Sequence, residues 1–208
     1  MAVHRKLPAL LACEPDVAVV AECAAEDILR AKAGLLLGGA SVAWVGSNAQ
    51  KGLAIFGFGA YAVHLDERFD QRLRWIAPVR VEGPVSFNLL GVWALHRSVK
   101  ETHPSEPRFA PVHQAVDVYA DLLQERPTVV AGDFNHHVIW DKPGSPRNHA
   151  ASVALLERAG LTSAYHRFHG CEQGAERHPT LYWRDRTVDG PAYHIDYCFV
   201  PESWASGL

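Results

Sequence analysis

The chain has 208 residues, 48% of them hydrophobic, and a formal net charge of −3. That length suffices for one domain with a sizeable core, and the charge excludes the strongly basic surface that grips nucleic acid non-specifically. No apolar run approaches the roughly 18 residues of a membrane span, and no signal peptide is evident. The four cysteines, Cys13, Cys23, Cys171 and Cys198, have no zinc-site spacing and read as reduced thiols of a cytoplasmic protein.

In chain order, apolar residues at helical spacing predict a helix over 3–13, with Pro8 in its first turn or at a kink. A short buried strand over 17–21 follows and delivers Glu22 at its exit, where the plainer reading is an acid opening the next helix. Strands are predicted over 41–45, 53–58 and 60–64, and the charged stretch 66–74 reads as a solvated loop. Two longer strands, 75–81 and 87–95, meet at the turn Glu82-Gly83-Pro84, and the second ends in His96. A lone histidine there is more often a hydrogen-bonded structural residue. After a loop over 97–111, the spacing of Val112, Ala115, Val116, Tyr119, Leu122 and Leu123 predicts one amphipathic helix running to Arg126.

The run Thr128-Val129-Val130-Ala131-Gly132-Asp133-Phe134-Asn135 then reads as a strand buried on both faces. At a period of two residues, Asp133 and Asn135 point the same way, so a carboxylate and a carboxamide converge. Gly132 removes a side chain where something comes close to the backbone. The plainer reading is an Asp and an Asn closing a strand in a turn. His136 and His137 are adjacent, face opposite ways on extended chain, and are poorly placed to share one metal. Asn148 is an N-cap for a helix to Ala159, with Gly160 ending it. A strand over 161–165, a loop over 166–178, a strand over 180–183 and a last strand over 193–200 complete the chain. Asp196 lies in the middle of that last apolar run, where a carboxylate needs a partner, and His194 shares its face.

Four elements thus stand in order: strand-Glu22, strand-His96, Gly132-Asp133-Phe134-Asn135, and His194-Ile195-Asp196-Tyr197. Together with Lys51-Gly52-Leu53-Ala54-Ile55 and Thr180-Leu181-Tyr182-Trp183, this series resembles the endonuclease/exonuclease/phosphatase superfamily, metal-dependent phosphoesterases related to pancreatic deoxyribonuclease and abasic-site endonucleases. The resemblance spans nearly the whole of residues 1–208, taken as one domain. It implies an α/β fold in which two packed mixed β-sheets are flanked by helices, a four-layer α/β/β/α sandwich. Against that pattern the first strand with its Asn and the last strand with its Ser-Asp-His are lacking, so the resemblance implies a chain clipped at both ends that hydrolyses poorly.

By the same resemblance, Glu22 is the carboxylate ligand of Mg²⁺ or Mn²⁺ and Asp133 orients or deprotonates the attacking water. Asn135 donates to the phosphoryl oxygens, His96 contacts the phosphate, and Asp196 orients a catalytic histidine. The substrate is a phosphate ester, with DNA and RNA among the candidates. Two other readings stand beside it. One is a catalytically impaired or non-catalytic scaffold of the same fold. The other is a zinc hydrolase using the 12 histidines, against which stands the lack of any HExxH-like ligand set.

Overall fold

Residues Leu53–Phe56 are wholly buried, as expected of a strand with β-branched, aromatic and small residues facing both ways. In the computed structural model, which describes residues 3–73, 75–94, 111–182 and 190–207, that run is the centre of β3 (Lys51–Gly57). It is flanked on either side by β1 (Val17–Cys23) and β2 (Ser41–Asn48), both antiparallel to it. The chain divides into two compact units, Met1–Trp93 and Ala94–Leu208.

In the first unit, helices α1 (Val3–Leu11) and α2 (Glu26–Leu37) cover one face of this sheet. Val3, Leu7, Leu29, Ala33 and Leu37 pack there against Ala18, Ala54 and Phe56. The other face meets the antiparallel strands β4 (Ala62–Leu65), β5 (Ile76–Glu82) and β6 (Phe87–Trp93). Gly91 makes that approach close: a Cβ on it would fall 2.9 Å from Ile55 Cδ1. Two sheets therefore pack face to face with helices outside, as expected. The ring of Trp44 lies over Gly52, where a Cβ would come within 2.4 Å of it, and its Nε1 donates to the Cys23 carbonyl at 3.1 Å.

The charged stretch after β4 is exposed at Glu67, Arg68, Gln71 and Arg72, as predicted, but it encloses one carboxylate. Asp66 is only 3% exposed, clasped by Arg68 through Nε at 2.8 Å and Nη2 at 3.0 Å. These bonds hold its carboxyl below the usual range although burial opposes them. A 3₁₀ turn, Gln71–Leu73, then buries Leu73. A run of alternating charges hid an internally neutralised knot.

In the second unit, β7 (Thr128–Asp133) pairs antiparallel with β11 (Asp196–Pro201), which pairs with β8 (Leu161–Ser163). A small hairpin joins β9 (Leu181–Tyr182) to β10 (Ala192–Tyr193). The helix predicted from Val112 is two, α3 (Pro111–Val118) and α4 (Ala120–Glu125), broken at the buried Tyr119. Helix α5 (His149–Arg158) follows, and Gly160 ends it with φ 79°. Its first N–H groups, on His149 and Ala150, are capped by Asp141 at 2.6 and 3.0 Å rather than by Asn148. The predicted strand 161–165 stops at Ser163 and turns into helix α6 (Ala164–His169). Among the described residues no helix is long and apolar enough to cross a membrane.

Candidate active site

In the first unit, Glu22 lies at a bulge of β1, where the register with β3 shifts between Ala21 and Cys23. Its φ of 58° is in the left-handed region, rare for a residue without the short polar side chain of Asn or Asp. Such a conformation costs about 1–3 kcal/mol. Its carboxylate takes an ion pair from Lys51 Nζ at 2.8 Å, and that ammonium stands 5.3 Å from the centre of the Trp93 ring. A partly exposed pair contributes about 0–1 kcal/mol, so stability alone does not account for the strain. Strained bulges recur where a strand must re-aim one side chain.

In the second unit, Asp133 ends β7 and faces the first residue of β11, Asp196, directly across the antiparallel pair. Asp133 and Asn135 do converge, but through a turn and not through strand pleating. The chain leaves the strand after Asp133, and Asn135 takes φ 48°. Asn135 then donates its backbone N–H to Asp133 Oδ1 at 2.8 Å and its Nδ2 to Oδ2 at 2.9 Å. Gly132 has φ 136° and pairs with Tyr197, so a backbone demand accounts for this glycine.

Asp196 opens β11; it is not in the middle of a longer strand, because the chain breaks from β10 at His194 and Ile195. Thr180 Oγ1 accepts the N–H of Ile195 at 3.0 Å and of Asp196 at 3.1 Å, and its hydroxyl hydrogen-bonds the Asp196 carboxylate. Asp196 keeps one side open to solvent. Even so, the protein packed about it raises its carboxyl above the usual range, against the opposing effects of Thr180 and His194. His194 is not its hydrogen-bond partner. The His194 Nδ1–H donates to the His178 carbonyl at 2.8 Å, and among the described residues the buried Nε2 has no partner.

His96 lies outside the described residues. Of the other predicted residues, Asp133, Asn135 and Asp196 come together at the exit of β7, and Glu22 belongs to the first unit. Among the described residues no group of three or more His, Cys, Asp or Glu side chains is arranged to hold a metal ion. The donor chemistry at Glu22, one accessible carboxylate on a strained bulge, nonetheless suits a Mg²⁺ that keeps most of its waters.

Sequence reasoning missed a histidine–carboxylate clasp beside this site. Glu176, whose side chain is 2% exposed, accepts from His137 Nε2 at 3.0 Å and His166 Nε2 at 2.9 Å. His137 Nδ1 accepts the Ile139 N–H at 3.1 Å, and His166 Nδ1 lies 2.7 Å from Ser163 Oγ. The Ile139 N–H makes Nδ1 of His137 an acceptor, so that ring offers Glu176 its Nε2–H, while Ser163 Oγ and Gln173 Nε2 both face Nδ1 of His166. Burial pushes the Glu176 carboxyl up, but hydrogen bonds from the Gly174 N–H, from its own N–H and from the two imidazoles outweigh it and bring it to about 2. Nearby, burial and the stacked His136 ring lower His149 to about 4, despite Gln173 and Asp141. The only sequence signal was the density of histidines, which carries no pairing.

No protein-family model matches the chain, and no curated protein matches it significantly. Solved structures do. The chain is similar to a 3′-5′ exonuclease (NExo) of Neisseria meningitidis, at 19% identity and a TM-score of 0.67, over 97% of this chain and 84% of that one. It is similar to the AP endonuclease LMAP of Leishmania major, at 13% identity and a TM-score of 0.64, over 96% and 74% of the two chains. It is also similar to an AP endonuclease of Archaeoglobus fulgidus, at 16% identity and a TM-score of 0.62, over 98% and 83%. The chain has the fold of the endonuclease/exonuclease/phosphatase superfamily.

Proposed function

We propose that this chain is a cytoplasmic, Mg²⁺- or Mn²⁺-dependent phosphodiesterase that cleaves DNA or RNA by in-line attack of water. The observation that carries this reading is the group at the exit of β7. There Asp133, locked to Asn135 by two hydrogen bonds, stands across from Asp196, whose carboxyl is raised by its surroundings. A carboxylate whose pKa its surroundings perturb, set beside a second carboxylate at one strand end, is a signature of working sites. The nuclease activities for which the structurally similar proteins are named support a nucleic-acid substrate, and four free cysteines support a reducing compartment.

A phosphodiester resists attack because its anionic oxygens repel the nucleophile. In this reading Asp133 takes the proton of the attacking water, with Asn135 fixing the direction of its lone pairs. The Asn135 amide has a second hydrogen to offer a phosphoryl oxygen. Asp196, held by Thr180, orients a catalytic histidine whose imidazolium gives its proton to the leaving oxygen, and His96 contacts the phosphate. A divalent ion at Glu22 would neutralise charge building on the phosphoryl oxygens. The remaining work falls to the chain's own groups.

Incubating the chain with single-stranded DNA, abasic duplex, RNA and phosphoinositide, with either metal or with EDTA, is the direct test. Slow cleavage of a nucleic acid that stops in EDTA and falls at least tenfold in Glu22→Gln is the expected result. Hydrolysis of the lipid alone, or cleavage indifferent to EDTA, would overturn the proposal.

A further inference from the structure

The loop leaving Asn135 ends in a 3₁₀ turn, Val138–Trp140, that exposes its two largest apolar side chains. Ile139 is 57% exposed and Trp140 39%. The turn is nevertheless rigid. The Trp140 N–H donates to the His137 carbonyl at 3.0 Å, the Asp141 N–H to Val138 at 3.0 Å, and the Ile139 N–H to the His137 ring. The indole itself is braced, with its centre 4.8 Å from that of Tyr193 and 6.1 and 6.3 Å from those of His137 and His136.

Both braced rings are tied to the carboxylate strands. Trp140 follows Asp133 by seven residues, and Tyr193 precedes Asp196 by three. Three residues of chain span at most roughly 10 Å, so Tyr193, on which the indole rests, lies within about one nucleotide's length of Asp196. An aromatic ring held rigid on one side and open on the other has little left to lose in entropy on stacking.

We infer that Trp140, braced by Tyr193, is a stacking platform for an unpaired base next to the scissile phosphate, so that the chain prefers single-stranded or locally unpaired nucleic acid. This rests on the phosphodiesterase reading above and deepens it. A base inside a duplex presents no free face, whereas any unpaired base does, so the platform selects strandedness and not sequence. A lipid surface is the competing occupant of an exposed Ile-Trp pair. Interfacial binding takes a broad apolar face fringed by cationic residues; here the apolar group is two residues wide and Asp141 follows at once.

Binding measured by fluorescence anisotropy in EDTA, where no cleavage occurs, tests this with a twelve-nucleotide oligothymidylate and a twelve-unit abasic oligomer of equal charge. The unmodified chain should bind the thymidylate about tenfold more tightly. Trp140→Ala should lower that affinity to the abasic level and leave abasic binding unchanged, and Trp140→Phe should retain most of the preference. The inference fails if the unmodified chain does not discriminate, if Trp140→Ala weakens both oligomers equally, or if Trp140 matters for phosphatidylcholine vesicles and not for thymidylate. A base preference without any nucleic-acid cleavage would instead sink the phosphodiesterase reading and leave the platform standing. Cleavage unaffected by Trp140→Ala would do the reverse.

Discussion

Asp133→Asn is expected to slow phosphodiester cleavage by about 10²–10⁴-fold, the range a positioned general base contributes, while leaving the fold intact. The structure makes this a clean substitution. An Asn at 133 still offers Oδ1 to the Asn135 N–H, and the clash of two NH₂ groups is relieved when the Asn135 amide turns over so that its oxygen accepts. What is lost is the ability to take a proton. Single-turnover cleavage with enzyme in excess, beside an unchanged urea midpoint, is the measurement. A rate within threefold of the unmodified chain would remove Asp133 from the chemistry. Asp196→Asn should separate the same two properties differently. The folded surroundings of Asp196 disfavour its charge, so its pKa is raised, and at neutral pH the ionised group costs stability. Removing that charge should raise the urea midpoint while lowering activity, the opposition expected of a site kept for function.

Acid should unfold the second unit in two stages. His149 is neutral in the fold down to about 4, whereas in the unfolded chain it takes up a proton below about pH 6.5. A group whose folded pKa is depressed in this way loses its contribution as pH falls from about 6.5 to 4, by roughly 3 kcal/mol at about 1.4 kcal/mol per pH unit. Glu176 acts lower. Its folded value of about 2 against the ordinary 4.5 gives stability that is complete above pH 4.5 and is lost as pH falls towards 2. Urea midpoints across this range should therefore decline continuously in the unmodified chain. His149→Phe should flatten the upper part of the curve and Glu176→Gln the lower. Curves that stay parallel for all three proteins would show that neither group carries the transition.

The architecture was legible because it rests on periodicity and on small residues. The apolar run at 53–58 announced a strand, whose centre the structure buries on both faces, and Gly160 marked its helix end as expected. The group at the exit of β7 was legible as residues but not as geometry. Asp133 and Asn135 met as predicted, yet through a turn that needs a left-handed Asn, which a period-two argument cannot anticipate. Asp196 was read into mid-strand because His194 and Ile195 have strand-forming neighbours; only the Thr180 hydroxyl taking the N–H groups of Ile195 and Asp196 reveals the break. The Asp66 knot, the Glu176 clasp and the Asp141 cap escaped for one shared reason. Each joins a carboxylate to donors chosen by three-dimensional proximity, and charge along a sequence says nothing about which of them will be enclosed.

The irregularity at Glu22 has a bearing on how this strand can vary. Along β1, Ala18 and Val20 turn towards the helices, and simple alternation would send Cys23 the opposite way. The inserted residue reverses the parity, and Cys23 joins Ala18 and Val20 beneath α1 and α2. A substitution here leaves that parity in place, although the left-handed φ of 58° limits which side chains fit without strain, whereas deletion of the residue would turn Cys23 out of its core.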